Sequence, residues 1–402
     1  MKTTLTIVAL ALATAVSAQE NPLWMRYCAI SPDGSAVAFT YKGDIYTVPT
    51  TGGTARQLTT NAAFDTHPVW SPDSKQLAFC SNREGSMDVY VMQREGGTPR
   101  RLTTNSNSET PIAFKDNNTV LYTSSIIPSA KSIIFANRML PQVYEVGTNG
   151  SRPHLFSALP MMDISIRPNG DLLYHDQKGY EDPWRKHHRS PITRDIWLRR
   201  GGKYTKLTNF NGEDRTPVWA AQGDTFYYLS EEDGTFNVYM RNIDGTGKQQ
   251  LTRHTTNPVR FLTAANNGTL CYGYDGEIYT LKQGEQPQKL KVNIVTDKID
   301  TDLDRQTLFT GATEIALSPD GKELAFVLHG DVYVTSNNYR TTKQITDTPE
   351  QEREIQFAPD GRSIVYASER GGLWQIYRTK LKLDKEKSFA YATQLEEEQL
   401  VK

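Results

Sequence analysis

The sequence predicts an all-β chain: a six-bladed β-propeller followed by the first two blades of a second, incomplete propeller. Three observations carry this expectation. The phrase SPDGSAVAF at 31–39 recurs as SPDSKQLAF at 71–79, SPDGKELAF at 318–326 and APDGRSIVY at 358–366. The first two copies are followed by the same further units, a strand, a glycine turn and another strand. After the sixth repeat a polar interval lacks the phrase altogether.

Each copy is a β-hairpin in outline. A short apolar strand ends at Ser or Ala, Pro presets φ for a turn, Asp or Gly closes it, and a strand of period two leaves. In the first repeat GDIYTVP at 43–49 is a third strand, TGGT at 51–54 a turn, and RQLT at 56–59 a fourth strand. The second repeat answers with MDVYVM at 87–92, EGGT at 95–98 and RRLT at 100–103. Four short antiparallel strands make one propeller blade.

Fainter copies follow the same template: AFKDNNTVLYT at 113–123, ISIRPNGDLLYH at 165–175, VWAAQGDTFYYLS at 218–230 and FLTAANNGTLCYG at 261–273. With Pro32, Pro72, Asp116, Pro168, Ala221, Ala264, Pro319 and Pro359 as equivalents, successive spacings are 40, 44, 52, 53, 43, 55 and 40 residues. Blades need about 40 to 45 residues, so the three long intervals hold insertions. The last of these, VNIVTDKIDTDLDRQTLFTGAT at 292–313, is polar and acidic and reads as a passage between propellers. The expected organisation is a signal peptide at 1–18, a six-bladed propeller at 22–292, a linker at 293–313 and a partial propeller at 314–402. Two blades of an unfinished ring leave a sheet face bare, so self-association into a homo-oligomer is a further expectation.

The first residues stand apart from the repeats. MKTTLTIVALALATAVSAQE carries Lys2, an apolar run from Leu5 to Val16 and the small-residue signal Val16-Ser17-Ala18, so cleavage after Ala18 and export to the periplasm are expected. No second apolar run follows, and no membrane span is expected. Basic and acidic residues nearly balance, 45 against 46, with no long basic run, which argues against nucleic acid as a partner. Cys28, Cys80 and Cys271 are too few for a disulfide framework and fall in predicted strands. Buried thiols explain them; a Cys28–Cys271 bond across neighbouring first and sixth blades is the alternative.

No G-x-S-x-G, H-E-x-x-H, P-loop or S-x-x-K signature occurs, no cofactor motif is present, and blades consume almost every residue from 22 to 380. No catalytic residue and no metal site is assigned. The densest polar stretch is KGYEDPWRKHHRSPITRDIW at 178–197, inserted in the fourth repeat. Adjacent histidines point apart in extended backbone, which disfavours a shared metal. Two readings stay open. Trp184 packs the loop while the charges meet water, or Trp184, Arg185, His187 and His188 bind a peptide through its carbonyls, termini and bulk. The repeated Asp33, Asp73, Asp320 and Asp360 invite a calcium reading, but local turn hydrogen bonds explain them more simply. Tyr46, Tyr90, Tyr239, Tyr279, Tyr333 and Tyr377 share one blade position and read as packing between blades.

The SPDG…LAF…DVYV…GG…RRLT phrase resembles the WD40-like repeats of the Tol-system periplasmic propeller protein, of dipeptidyl peptidase propellers and of tricorn proteases. Surplus repeats beyond six, blades starting directly after the signal, and the YEDPWRKHH…TRDIW insertion resemble bacterial tricorn-like proteases of the S41 serine peptidase clan. That resemblance implies a six-bladed and a seven-bladed propeller ahead of PDZ and peptidase domains, with the propellers filtering and channelling peptides. It further implies that this chain is the non-catalytic front part and that its partners are peptides and those missing domains. A stand-alone TolB-like binding propeller for protein or glycan partners is the alternative.

Overall fold

The computed structural model describes residues 22–126, 140–179, 182, 187, 189–295, 308–339 and 341–401. It divides into two compact units, Met1–Asp297 and Lys298–Lys402. The described residues contain no α-helix; they form eight four-stranded antiparallel meanders, one of which gains a fifth strand. Six of these sheets lie in the first unit, spanning residues 26–57, 65–101, 109–157, 161–206, 214–250 and 260–289.

Turn chemistry starts each strong repeat. The Ser31 hydroxyl donates to Asp33 and accepts the Ala36 N–H at 3.0 Å, while Asp33 Oδ1 accepts the Ser35 N–H at 2.9 Å. Gly34 takes φ +74°, and Ser74 adopts φ +62° at the same place in the second copy. Asp73, Asp320 and Asp360 accept from the backbone two residues on in the same way. The repeated Asp is therefore a turn residue. Neighbouring turns are also tied together: Asn266 N–H donates to the Pro32 carbonyl, Asp33 N–H to Ser74 Oγ, and Asp73 N–H to Asn117 Oδ1. Register corrects one equivalence, because Ala264 pairs with Leu270 as Ile30 pairs with Val37. Asn266, not Ala264, is thus the counterpart of Pro32; the hairpin there is one residue shorter, which hid the match.

Both faces of these sheets are apolar, and each seam between consecutive sheets holds its own core. Leu77, Phe79 and Trp70 meet Ala38 and Ile45 between the first and second sheets. The same arrangement recurs between second and third, third and fourth, fourth and fifth, and fifth and sixth. A sixth cluster joins Cys28, Val37, Phe39 and Tyr46 of the first sheet to Cys271 and Ile278 of the sixth. The tyrosine column, read as packing between blades, pairs first within each sheet: Phe39–Tyr46, Phe79–Tyr90, Tyr228–Tyr239, Tyr272–Tyr279, Phe326–Tyr333 and Tyr366–Tyr377 are cross-strand ring pairs with centroids 5.6–6.3 Å apart, and Tyr46, Tyr90 and Tyr239 also join the cores between sheets. Val292–Ile294 then runs parallel to Gly53–Ala55 and adds a fifth strand to the first sheet. That strand continues two residues past the boundary read from the sequence, since its backbone groups pair where polar composition alone suggests a linker.

Cys28, Cys80 and Cys271 are buried free thiols. The second unit has two sheets, spanning 314–344 and 352–401, joined by a core of Val332, Val334, Ile364, Tyr366 and Phe389. Its first strand, Glu314–Leu317, leaves Ile315 and Leu317 exposed.

Carboxylates meet at the seams. In five of the eight sheets a threonine just past the fourth strand caps the third strand: Thr59 caps Ile45, Thr103 Val89, Thr208 Ile196, Thr252 Val238 and Thr346 Val332. The acid before the capped residue then faces an acid opening the next sheet: Asp88 with Glu109, and Asp195 with Asp214. Burial, aided by Asp88, pushes Glu109 up to about 7; burial, aided by Glu232 and then Asp195, pushes Asp214 to about 6. One oxygen of each lacks a hydrogen-bond partner.

A carboxyl whose folded pKa lies above its unfolded value makes the native state hold the extra proton, so stability falls as pH rises through that window. Between pH 5 and pH 8 the urea midpoint of Glu109→Gln should therefore rise relative to that of the unaltered protein, the two being equal near pH 5, while the buried neutral histidines act alike in both. An unaltered slope in Glu109→Gln contradicts the assignment. For the fifth strand, a chain ending at residue 290 should melt well below one ending at 295, as followed by circular dichroism; equal melting would mean that 292–294 contributes nothing to the first sheet.

Candidate functional site

The first strand of each sheet in the first unit lies innermost. These strands are Arg26–Ile30, Asp65–Trp70, Glu109–Asp116, Met161–Ile166, Asp214–Trp219 and Arg260–Ala264, and each packs on the next. Arg26–Ile30 packs in turn on Arg260–Ala264. All six line one cavity of about 640 Å³. The register of every one of them slips against its partner strand, between Arg26 and Ala29, Thr66 and Val69, Met162 and Ser165, Arg215 and Val218, and Arg260 and Thr263, and in the third strand at Ile112. A bulge re-aims the residue it carries, which here lines the cavity.

The charged side of the cavity belongs to the fourth and fifth sheets. Glu213 accepts from Arg194 Nη1 at 3.2 Å and from Arg215 Nε at 2.9 Å, all three buried. Asp163 Oδ2 accepts the Thr216 hydroxyl at 2.7 Å and lies 3.6 Å from His175 Nδ1. Thr216 N–H donates to that same Nδ1 at 3.3 Å, so His175 is the neutral tautomer with its proton on Nε2. Burial, reinforced by Arg194 and Arg215, drives the His175 pKa far down. Encirclement pushes the Asp163 carboxyl up, against the Thr216 hydrogen bond and the two arginines. Yet 45% of its side-chain surface stays open to the cavity, so water tempers that shift.

The other side is aromatic. Tyr27 sits 3.7 Å from His67 and 4.7 Å from Phe261, centroid to centroid. Burial lowers His67 to about 4, leaving it neutral. Arg260, beside Phe261 in sequence, is brought down to about 10 by burial and then by Arg215, with Asp182 opposing.

Of the residues singled out in the 178–197 insertion, Trp184, Arg185 and His188 lie outside the described residues. His187 is exposed; its N–H donates to Glu231 Oε2 at 2.8 Å and its Nδ1 stands 4.0 Å from the same oxygen. It thus meets the loop after the second strand of the fifth sheet and does not line the cavity. Asp182 acts on Arg260, so this insertion does reach toward the cavity wall. Sequence reasoning missed Tyr27, His67, Asp163, Thr216 and Phe261. A signal was present: each stands five residues before its turn position, at Pro32, Pro72, Pro168, Ala221 and Asn266.

Repeated four-stranded sheets whose first strands converge on one cavity define a β-propeller. The chain matches the family model of the tricorn protease N-terminal β-propeller domain over residues 22–287 and belongs to that family. It is 26% identical over 388 residues to tricorn protease homolog 1 of Streptomyces coelicolor, covering 93% of this chain and 34% of that one. With the tricorn protease of Thermoplasma volcanium it shares 24% identity over 229 residues, 56% of this chain and 20% of the other. A crystal structure of tricorn protease superposes with a TM-score of 0.58 at 17% identity, over 89% of this chain and 34% of that chain. The chain spans between a fifth and about a third of the length of these relatives.

The Glu213 cluster yields a test of the cavity wall. Removing a carboxylate that serves two buried guanidinium groups should cost about 3–5 kcal/mol. Glu213→Ala should lower the urea midpoint accordingly. A loss under about 1 kcal/mol would show that the arginines do not depend on it.

Proposed function

We propose that this chain is the non-catalytic propeller portion of an exported tricorn-like serine protease, and that its first unit gates or channels peptides to a peptidase core carried outside residues 1–402. In this reading residues 22–295 close as a six-bladed ring, and the second unit is the first two blades of a further propeller. PDZ and peptidase domains of the same protein, of the S41 clan, are its covalent partners, and the signal peptide directs the whole to the periplasm. The observation that carries the reading is the cavity walled by all six inner strands, in a chain whose relatives are named proteases.

A channel that passes many peptides must bind what peptides share, and bind it weakly. Hydrogen-bonding groups and apolar surface suit that task, and the cavity offers both. The insertion bearing Trp184, Arg185, His187 and His188 is proposed as the outer contact, supported by the pull of Asp182 on Arg260.

The purified chain should hydrolyse no fluorogenic peptide, because acyl transfer needs a nucleophile, a base and an oxyanion site together. Activity that survives purification and yields to a serine-directed reagent would overturn this. In the full-length protease, Arg185→Ala, His187→Ala and His188→Ala combined should slow cleavage of long peptides more than short ones. Unchanged rates for both return the loop to a packing role.

A further inference from the structure

The five bulge residues share an unusual backbone. Tyr27, His67, Asp163, Thr216 and Phe261 have φ of +52°, +54°, +48°, +49° and +57°. Left-handed backbone is easy for Gly and tolerable for Asn, Asp or His, but strained for bulky aromatic or β-branched residues. Three of the five positions, Tyr27, Thr216 and Phe261, therefore carry a residue the backbone disfavours. The same conformation recurs at Glu354 of the eighth sheet, outside the cavity lining, so the bulge belongs to the sheet and the side chain each bulge carries is what sets the cavity wall.

What they present falls into two arcs. Phe261, Tyr27 and His67 come from the sixth, first and second sheets and form one contiguous aromatic surface, with centroids 4.7 and 3.7 Å apart. Asp163 and Thr216 come from the fourth and fifth sheets; the hydroxyl donates to the carboxylate at 2.7 Å, and Asp163 keeps 45% of its surface open. The formal charges around the cavity balance, Arg194 and Arg215 against Glu213 and Asp163 and Arg260 against Asp182, which leaves little net charge to draw a charged side chain. An extended peptide presents side chains alternately to opposite sides, with backbone N–H groups between them. Such a chain along the cavity can lay one large apolar side chain on the aromatic arc while an N–H points at Asp163.

We propose that these residues form a specificity collar, which holds an extended peptide by an aromatic or large aliphatic side chain against Phe261, Tyr27 and His67 and by a backbone N–H on Asp163. This rests on the peptide-channel reading above and adds a substrate class to it: uncharged peptide stretches with a bulky apolar residue.

The test measures dissociation constants of the full chain for two capped peptides, acetyl-Ala-Phe-Ala-amide and acetyl-Ala-Ala-Ala-amide, by saturation-transfer NMR. Burial of the phenyl ring should favour the first by about tenfold or more. Phe261→Asn and Tyr27→Asn are made separately, since Asn accepts positive φ and removes the ring without adding strain. Each should cut that ratio to about threefold or less. Asp163→Asn should weaken both peptides equally and leave the ratio intact. Circular dichroism melting selects the folded variants, and the wild-type ratio stands whatever they do. Equal binding of the two peptides, or a ratio unmoved in both Asn variants at Tyr27 and Phe261, overturns the collar alone. No binding of either peptide overturns the channel reading and the collar with it.

Discussion

A sheet that is apolar on both faces cannot stop. Each four-stranded meander of the first unit buries one face on the sheet before it and one on the sheet after it, and an open stack would always leave two faces in water. The core that joins Cys28, Val37 and Phe39 to Cys271 and Ile278 answers this for the first and sixth sheets. Everything else in the unit follows from that demand. Sheets packed in a circle turn their first strands inward, and inward strands of finite width leave a cavity between them. In the second unit Ile315 and Leu317 lie exposed on the opening strand.

Polar groups at the seams give the stack its register. Buried Thr hydroxyls cap strands at equivalent points, and carboxylates from adjacent sheets face each other next to them. Apolar packing alone tolerates sliding; a threonine that must meet one particular amide does not. The cost is a set of acids that burial holds partly protonated near neutral pH, as at Glu109. The bulges add a second cost nearer the axis, where strained backbone turns side chains into the cavity.

Legibility in the sequence tracked how local each interaction is. The SPDG turns were readable because their hydrogen bonds run within five residues, and the tyrosine column because cross-strand pairing repeats at a fixed offset from the turn. The turn after Ala264 misled by two residues because Ala265, Asn266 and Asn267 replace the Ser-Pro-Asp signature while forming the same backbone turn. The pairing of Val292–Ile294 with Gly53–Ala55 joins segments far apart in the chain and left no local mark. The cavity residues were hidden for a different reason. Period-two alternation says which face a residue takes, but a bulge breaks the alternation at the very position that points inward. The polar insertion at 178–197 drew attention by composition, whereas the collar is made of residues that look like ordinary strand members one at a time.

Hydrogen exchange at the seam between the sixth and first sheets tests the central claim, that these sheets close on one another and so create the cavity. Closure makes the amides of strands Ala36–Tyr41 and Leu270–Tyr274 as hard to open as those of Thr119–Ser124 and Leu172–Asp176 in the third and fourth sheets. The account predicts a single slow class containing all four strands. Faster exchange confined to the first and sixth sheets would show that the seam opens on its own, and the closed stack would be contradicted.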